Sequence, residues 1–344
     1  MKKMMFALPI AAALASCGGG GGSSSAAQIK VVGSSTVYPF TTAVAEEFQR
    51  ANPGTSVIVE STGTGAGIKL FCSGIGSQHP DLVNASRRMK ATEFDSCIQA
   101  GVNQVIELPI GIDGLTLISA RNGLDLNLTR TDVYRALAAD PYGEGPNRAQ
   151  TWRDVNPALP AVRIRVLGPP PTSGTRDSLN ELIMEKGCDE DPRMRALKEQ
   201  DSNRHKDVCT RIREDGAFVE AGENDNLLVQ KVSGDPNALG VLGFSFLEAN
   251  QDRVRPVTIG GVVPTVETIS NLSYPGARRL YVYAKGEHIQ AKPAIREFIA
   301  TFSRLWGPGG ILQRRGLVPH GEQDAAAALE QATALRPLDR SALN

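Results

Sequence analysis

Three short stretches carry residue types that can bind an anion without a metal. Gly33-Ser34-Ser35-Thr36, Gly63-Thr64-Gly65 and Ser173-Gly174-Thr175-Arg176 each place glycines and hydroxyls between an apolar run and a helix-like one. A helix start leaves backbone N–H groups unpaired and carries the positive end of the helix dipole. Glycine lets an anion reach the backbone, and Ser and Thr hydroxyls add donors, so such a turn needs little formal charge. One such turn is an ordinary N-cap. Three in one chain point to a shared ligand. Arg176, and Arg87 in NASRRMK, would add charge-assisted bonds, because the guanidinium fork matches tetrahedral oxyanions. Arg88 and Lys90 read as a solvated face.

The elements around these turns are strands and helices in alternation. IKVV is a short strand, followed by Val37, Phe40, Val44 and Phe48 at helical spacing until Asn52-Pro53-Gly54 stops the helix. TSVIVE and DLVNAS are the next strands. A short helix carrying Ile68 and Phe71 lies between them, and Thr92-Glu93-Phe94-Asp95 resembles a capping box opening another. QVIELPIGIDGLTLISA is strand-like but broken by Pro109, Gly111 and Gly114. TRTDVYRALAAD is a helix and AVRIRVLG a strand. TSGTRDSLNELIMEKG is a helix with Leu179, Leu182 and Ile183 inward. RRLYVYA is a late strand, and Ile295, Phe298, Ile299, Phe302 and Leu305 form a clear helical stripe. These stripes are core. The pattern is α/β with a largely parallel sheet. The Ala-rich, polar tail after Gly321 is expected to dock loosely or fray.

MKKMMFALPIAAALASC joins two lysines to an apolar stretch too short to span a bilayer, so residues 1–16 read as an export signal. LASC resembles the lipobox of bacterial lipoproteins, in which the Cys, here Cys17, becomes a lipidated N-terminus. The GGGGGSSSAAQ that follows is a tether, spanning roughly 17 Å as a flexible coil. Beyond it the 344-residue chain has room for two domains. Formal net charge is zero and no basic run appears, which excludes nucleic acid as the partner. The four remaining cysteines of an exported chain suggest disulfides, paired as sequence neighbours Cys72–Cys97 and Cys188–Cys209. Zinc is the rival, but there is no C-x-x-C and the His are scattered.

GSSTVYPF, STGTGAGIKL, NASRRMK, IGIDGLTLI and TSGTRDS, in that order, resemble the periplasmic phosphate-binding subunit of the phosphate ABC transporter. The resemblance runs from about residue 29 to 320 and includes GENDNLLVQK and YPGARRLYVYA. It implies a two-lobed periplasmic binding protein of type II, with mixed, mostly parallel sheets and a hinged cleft closing on one phosphate. Lobe 1 would be residues 29–112 plus 266–335, lobe 2 residues 113–265, and 17–28 the lipidated Cys and tether. Carried over, Thr36 and the Val37 N–H make the first contact, Thr64 and Gly65 the second, and Ser86 and Arg87 the third. Ser173, Gly174, Thr175 and Arg176 are the contribution of the second lobe. The implied protein is a monomeric receptor outside the cytoplasm, at the periplasm or outer surface, held to the membrane only by lipid. It would hand phosphate to a membrane permease and need no cofactor or metal.

Two departures qualify that expectation. The best-known members have an Asp after the Ser of the third motif, accepting a proton from phosphate and so rejecting sulfate; here Arg87 stands there. They also place an Arg four residues before the Ser of SGT, where this chain has Pro169. Asp113, Asp177 or Asp225 could supply the acceptor. A receptor for sulfate or molybdate fits the same turns, and a scaffold or sensor lipoprotein could keep the fold. An exported phosphatase fits worse: no G-x-S-x-G occurs, and His79, His205, His288 and His320 stand in no catalytic setting.

Overall fold

The computed structural model describes residues 27–222 and 224–343. The export signal, Cys17 and most of the tether lie outside the described residues. The strands are β1 (Ala27–Gly33), β2 (Thr55–Ser61), β3 (Leu82–Ala85), β4 (Val105–Ala120), β5 (Asn127–Leu128) and β6 (Val166–Gly168). After them come β7 (Phe218–Glu220), β8 (Leu239–Gly243), β9 (Val254–Pro256), β10 (Thr258–Ile259) and β11 (Ala277–Lys285). A continuous sheet runs β2-β1-β3-β11-β4-β8-β6-β7, with β9 also on β4 and β5 paired with β10 apart from it. β1 pairs β2 and β3 in parallel, and β6 pairs β7 and β8 in parallel, while β4 and β11 run antiparallel to their neighbours.

The apolar stripes expected to be core are core, with Leu182 and Leu305 partly buried at its margin. Phe48, Phe298 and Phe302 pack with Ile29 and Leu82 on one face of the first half-sheet. Ile68, Phe71 and Tyr283 cover the other. A separate core in the second half gathers Tyr134, Trp152, Leu179, Ile183 and Val241. Both expected disulfides are present: Cys72–Cys97 ties helix α2 (Thr64–Phe71) to α3 (Ala91–Gln99), and Cys188–Cys209 staples the second lobe.

Three expectations are corrected. β4 is unbroken across Pro109, Gly111 and Gly114; a bulge opposite Leu280/Tyr281 absorbs the proline, which has no N–H for the ladder. The capping box opening α3 is centred on Lys90, whose N–H donates to Glu93. The tail docks: the helix Glu322–Ala334 buries Ala328 and Ala332, and the Leu338 N–H donates to the Val105 carbonyl at 2.7 Å.

At the end of β11, Lys285 is fully buried, donating to the Gly74 carbonyl at 2.5 Å and lying over the Phe71 ring. Burial pulls its ammonium down to about 8, against the partial support of Asp81. Between that value and the ordinary lysine range the unfolded chain holds the extra proton, so stability rises with pH across the window. The whole effect is about 3 kcal/mol at 1.36 kcal/mol per unit. In Lys285→Met that rise is absent, while buried tyrosines titrate alike in both proteins. Urea unfolding of the two proteins from pH 8 to 10.5 should show the variant's relative stability shrinking by that amount.

Candidate anion-binding cleft

The carboxyl ends of β1, β2 and β3 open on one edge of the first half-sheet, where ligands of α/β folds bind. β1 runs into Ser34–Val37 and helix α1 (Tyr38–Ala51), β2 into Thr62-Gly63 and α2, and β3 into Ser86. From the other lobe, β6 ends at Gly168 and leads to Ser173–Thr175 at the start of the next helix. The two sides meet. Thr36 Oγ1 donates to the Gly174 carbonyl at 3.1 Å. A Cβ on Gly174 would lie 2.6 Å from Thr36 Cα and 2.7 Å from the Ser35 carbonyl. Glycine at 174 therefore lets the opposite lobe's backbone approach, where the sequence suggested approach by an anion.

Beside this contact lies a cavity of about 510 Å³. Hydroxyls of Ser35, Thr36, Ser173, Thr175 and Ser178 line it, with Arg314 and Arg315 also on its wall. Ser173 caps its helix, accepting from the Thr175 N–H at 3.2 Å. The Val37 N–H is held only by a long 3.4 Å contact to the Ser34 hydroxyl. Deeper, the Thr64 and Ser86 hydroxyls stand 2.9 Å apart, and Thr64 accepts from the Ser86 N–H. Gly65 follows Thr64 in the first turn of α2. The structure thus clusters Thr36, Ser173, Gly174 and Thr175 in one place and Thr64 with Ser86 in another.

The two arginines singled out from sequence do not join them. Arg87 is chelated by Glu93 at 2.9 and 2.7 Å, and that pairing raises its pKa. Arg176 turns away into lobe 2, donating to the Pro169 carbonyl at 2.9 Å with its guanidinium 4.5 Å from the Phe218 ring centre. Its burial lowers its pKa, partly offset by Glu220 and Asp177. Residue 176 lies two positions from both Gly174 and Ser178, about 200° around the helix from each, so with those two on the cleft side it falls on the buried side.

A further cation, Arg278 on β11, bonds two of the cavity-lining hydroxyls. Its side chain is 9% exposed. Nη2 donates to Thr36 Oγ1 at 3.0 Å and to Ser178 Oγ at 2.8 Å, and Nε to Asp113 at 3.2 Å, while Nη1 meets Glu181. Ser86 Oγ donates to the same Glu181 at 3.3 Å. Arg278 and Glu181 therefore bridge the two hydroxyl clusters. Asp113, paired with Arg278 across the strands, also accepts from Ser178 at 2.7 Å. Asp177 accepts from Ser35, and burial pushes its carboxyl up despite that bond, with Glu181 adding to the rise. Sequence reasoning missed Arg278. The available signal was the charged doublet Arg278-Arg279 opening an otherwise apolar strand.

Two α/β lobes, joined by shared strands and meeting over a hydroxyl-lined cleft, define a solute-binding protein. The chain belongs to the PBP superfamily, whose domain model matches residues 20–303. It is 31% identical to protein SphX of Synechococcus elongatus over 94% of this chain and 87% of that one. Identity to the phosphate-binding protein PstS of Staphylococcus saprophyticus is 28%, over 79% of this chain and 74% of that one. A solved structure of a possible phosphate binding protein from Planctomyces limnophilus matches at 25% identity with a TM-score of 0.72, covering 90% of this chain and 99% of that one. An ABC-type phosphate transport receptor from Vibrio cholerae shares the fold at 20% identity and a TM-score of 0.55, over 80% of this chain and 93% of that one.

The placement of Arg176 reverses what its sequence context suggested. Removing a buried, stacked and hydrogen-bonded guanidinium costs on the order of 2 kcal/mol. Arg176→Met should therefore lower the unfolding free energy measured by urea titration by that much and leave anion affinity unchanged. Weakened anion binding at wild-type stability would put Arg176 back in the site.

Proposed function

We propose that this protein is an extracytoplasmic receptor that captures inorganic phosphate and delivers it to the permease of an ABC importer. The observation that carries the reading is the cross-lobe contact of Thr36 with Gly174, which closes two helix-start turns over a hydroxyl-lined cavity. Relatives named for phosphate binding supply the ligand's identity, and none of those cited is named as an enzyme. Thr36, the Val37 N–H, Ser173, Gly174 and Thr175 would grip the anion from two sides, with Thr64, Gly65 and Ser86 behind. Residues 29–112 with 266–335 and residues 113–265 would be the two bodies that close. Support comes from β4, whose Ile110 and Leu115 belong to different cores. No described helix is long and apolar enough to cross a membrane. Attachment is proposed to rest on lipid at Cys17, on the support of its LASC context. The receptor is proposed to act as a monomer.

Calorimetric titration of the chain from Cys17 onward with phosphate, sulfate and molybdate tests the ligand. Saturable phosphate binding that excess sulfate fails to displace is expected; preference for either rival ion would reassign the receptor. Attachment has its own test. Several acyl chains anchor stably where one holds only marginally. Cys17→Ser should therefore shift the protein from membranes to the soluble fraction or block its processing. Unchanged membrane association would remove the lipid anchor from the reading.

A further inference from the structure

Arg278 is the cleft's most heavily engaged cation, and its four donor contacts are unequal. Asp113 holds Nε from the neighbouring strand, fixing the guanidinium plane. Thr36 and Ser178 accept from Nη2 on the two sides of the cleft. Nη1 is taken by Glu181, which differs from the others in two ways. Its side chain is 46% exposed, and it sits on the π turn Leu179–Met184. π turns inside helices recur at functional sites. The same carboxylate accepts from Ser86 Oγ at 3.3 Å, and Ser86 is bonded to Thr64 at the start of α2. A half-exposed carboxylate thus occupies a point on which a guanidinium corner and a hydroxyl converge. Those are the donors an oxyanion needs.

We infer that Arg278 is the cation that receives the bound anion, and that the Glu181 carboxylate is an internal placeholder displaced from Arg278 and Ser86 when the anion enters. The inference rests on the anion-receptor reading and names a binding residue that reading lacks. Asp113 stays in place on Nε and keeps the fork aimed. Glu181 is the partner able to leave, because its side chain is half-exposed and water can take its place, whereas Arg278 keeps Asp113, Thr36 and Ser178. Its departure also removes a negative charge that would repel the ligand, and that lies close enough to Asp177 to raise its pKa. While the placeholder is in, the site is closed to ligand, so apparent affinity falls by the fraction of molecules in that state.

The test is calorimetric titration of the chain from Cys17 onward with inorganic phosphate, in wild type, Arg278→Met, Arg278→Lys and Glu181→Gln, with melting temperatures of each ligand-free protein. Arg278→Met should weaken binding by roughly thirty-fold or more, and Arg278→Lys should restore only part, having charge without the fork. Glu181→Gln should tighten binding by roughly three-fold or more, the gain expected if the placeholder holds about two-thirds of molecules. These opposite signs are what a merely structural ion pair would not give, since losing either partner would then act alike. Unchanged or weaker binding in Glu181→Gln, or wild-type affinity in a folded Arg278→Met, overturns the inference. If Arg278→Met does not fold, Glu181→Gln decides alone. Should wild type take sulfate or molybdate in preference to phosphate, the phosphate reading fails, and the same variants titrated with that ion still decide the placeholder. Should wild type bind none of the three, both fall.

Discussion

Everything in this molecule hangs on two strands that belong to both halves at once. β4 pairs with β11 from Val105 to Gly114, then with β8 from Leu115 to Ser119, so a single extended segment contributes to two cores. β11 brings the chain back beside it. At the crossing the backbone is crowded: a Cβ on Gly276 would lie 2.2 Å from the Leu115 carbonyl. Arg278 and Asp113 face each other two residues from that crossing. Their position at the junction explains why one guanidinium can touch Thr36 of the first lobe and Ser178 of the second.

That placement also settles how charge is arranged. A buried arginine needs partners, and the desolvation of its charge exceeds what one partner returns. Arg278 has four, two of them carboxylates. Neighbouring strand residues divide the work by alternation: Arg279 points to the other side, to Asp324 of the docked tail. The far end of the same strand repeats the logic, with buried Asp81 accepting from the Lys30 N–H, His288 and Lys292. His288 accepts on Nε2 from the Gly76 N–H, which leaves its proton on Nδ1 for Asp81. The two ends of β11 are thus pinned by ion networks, and the apolar middle packs into the sheet.

What was legible in the sequence follows from the range of the signal. Helical stripes such as Phe298-Ile299-Phe302 report a local period, and they are buried as read. The disulfides were legible because each joins sequence neighbours. Pro109 and two glycines hid the continuity of β4, since a bulge that forms only against a partner strand 170 residues away is not a local property. Arg176 misled because residue type was weighed without the angle around the helix. Arg278 was hidden for the opposite reason. Its role depends on which face of a strand meets the cleft, and only the pairing with Asp113 decides that. The tail was misread because alanine carries little hydrophobic signal, although Ala328 and Ala332 lie one helical turn apart on the buried face.

A chain of zero net charge can still be an anion receptor, because binding depends on local fields and not on the total. Beyond about 8 Å at physiological ionic strength, exposed charges are largely screened, so distant surface charges matter little. Inside the cleft, however, Asp113, Asp177 and Glu181 surround a single guanidinium, an unfavourable start for a second anion. Each is handled differently. Asp113 is spent on Arg278 and Ser178, and Asp177 is pushed by burial toward its neutral form. Glu181, reaching in from the opposite lobe, is the carboxylate whose exposed side chain allows it to leave. In the proposed site, what would then face the ligand is a fixed fork, five hydroxyls and the starts of helices from both lobes. An arrangement of that kind attracts an anion by exchanging one negative group for another, with no need for surplus positive charge.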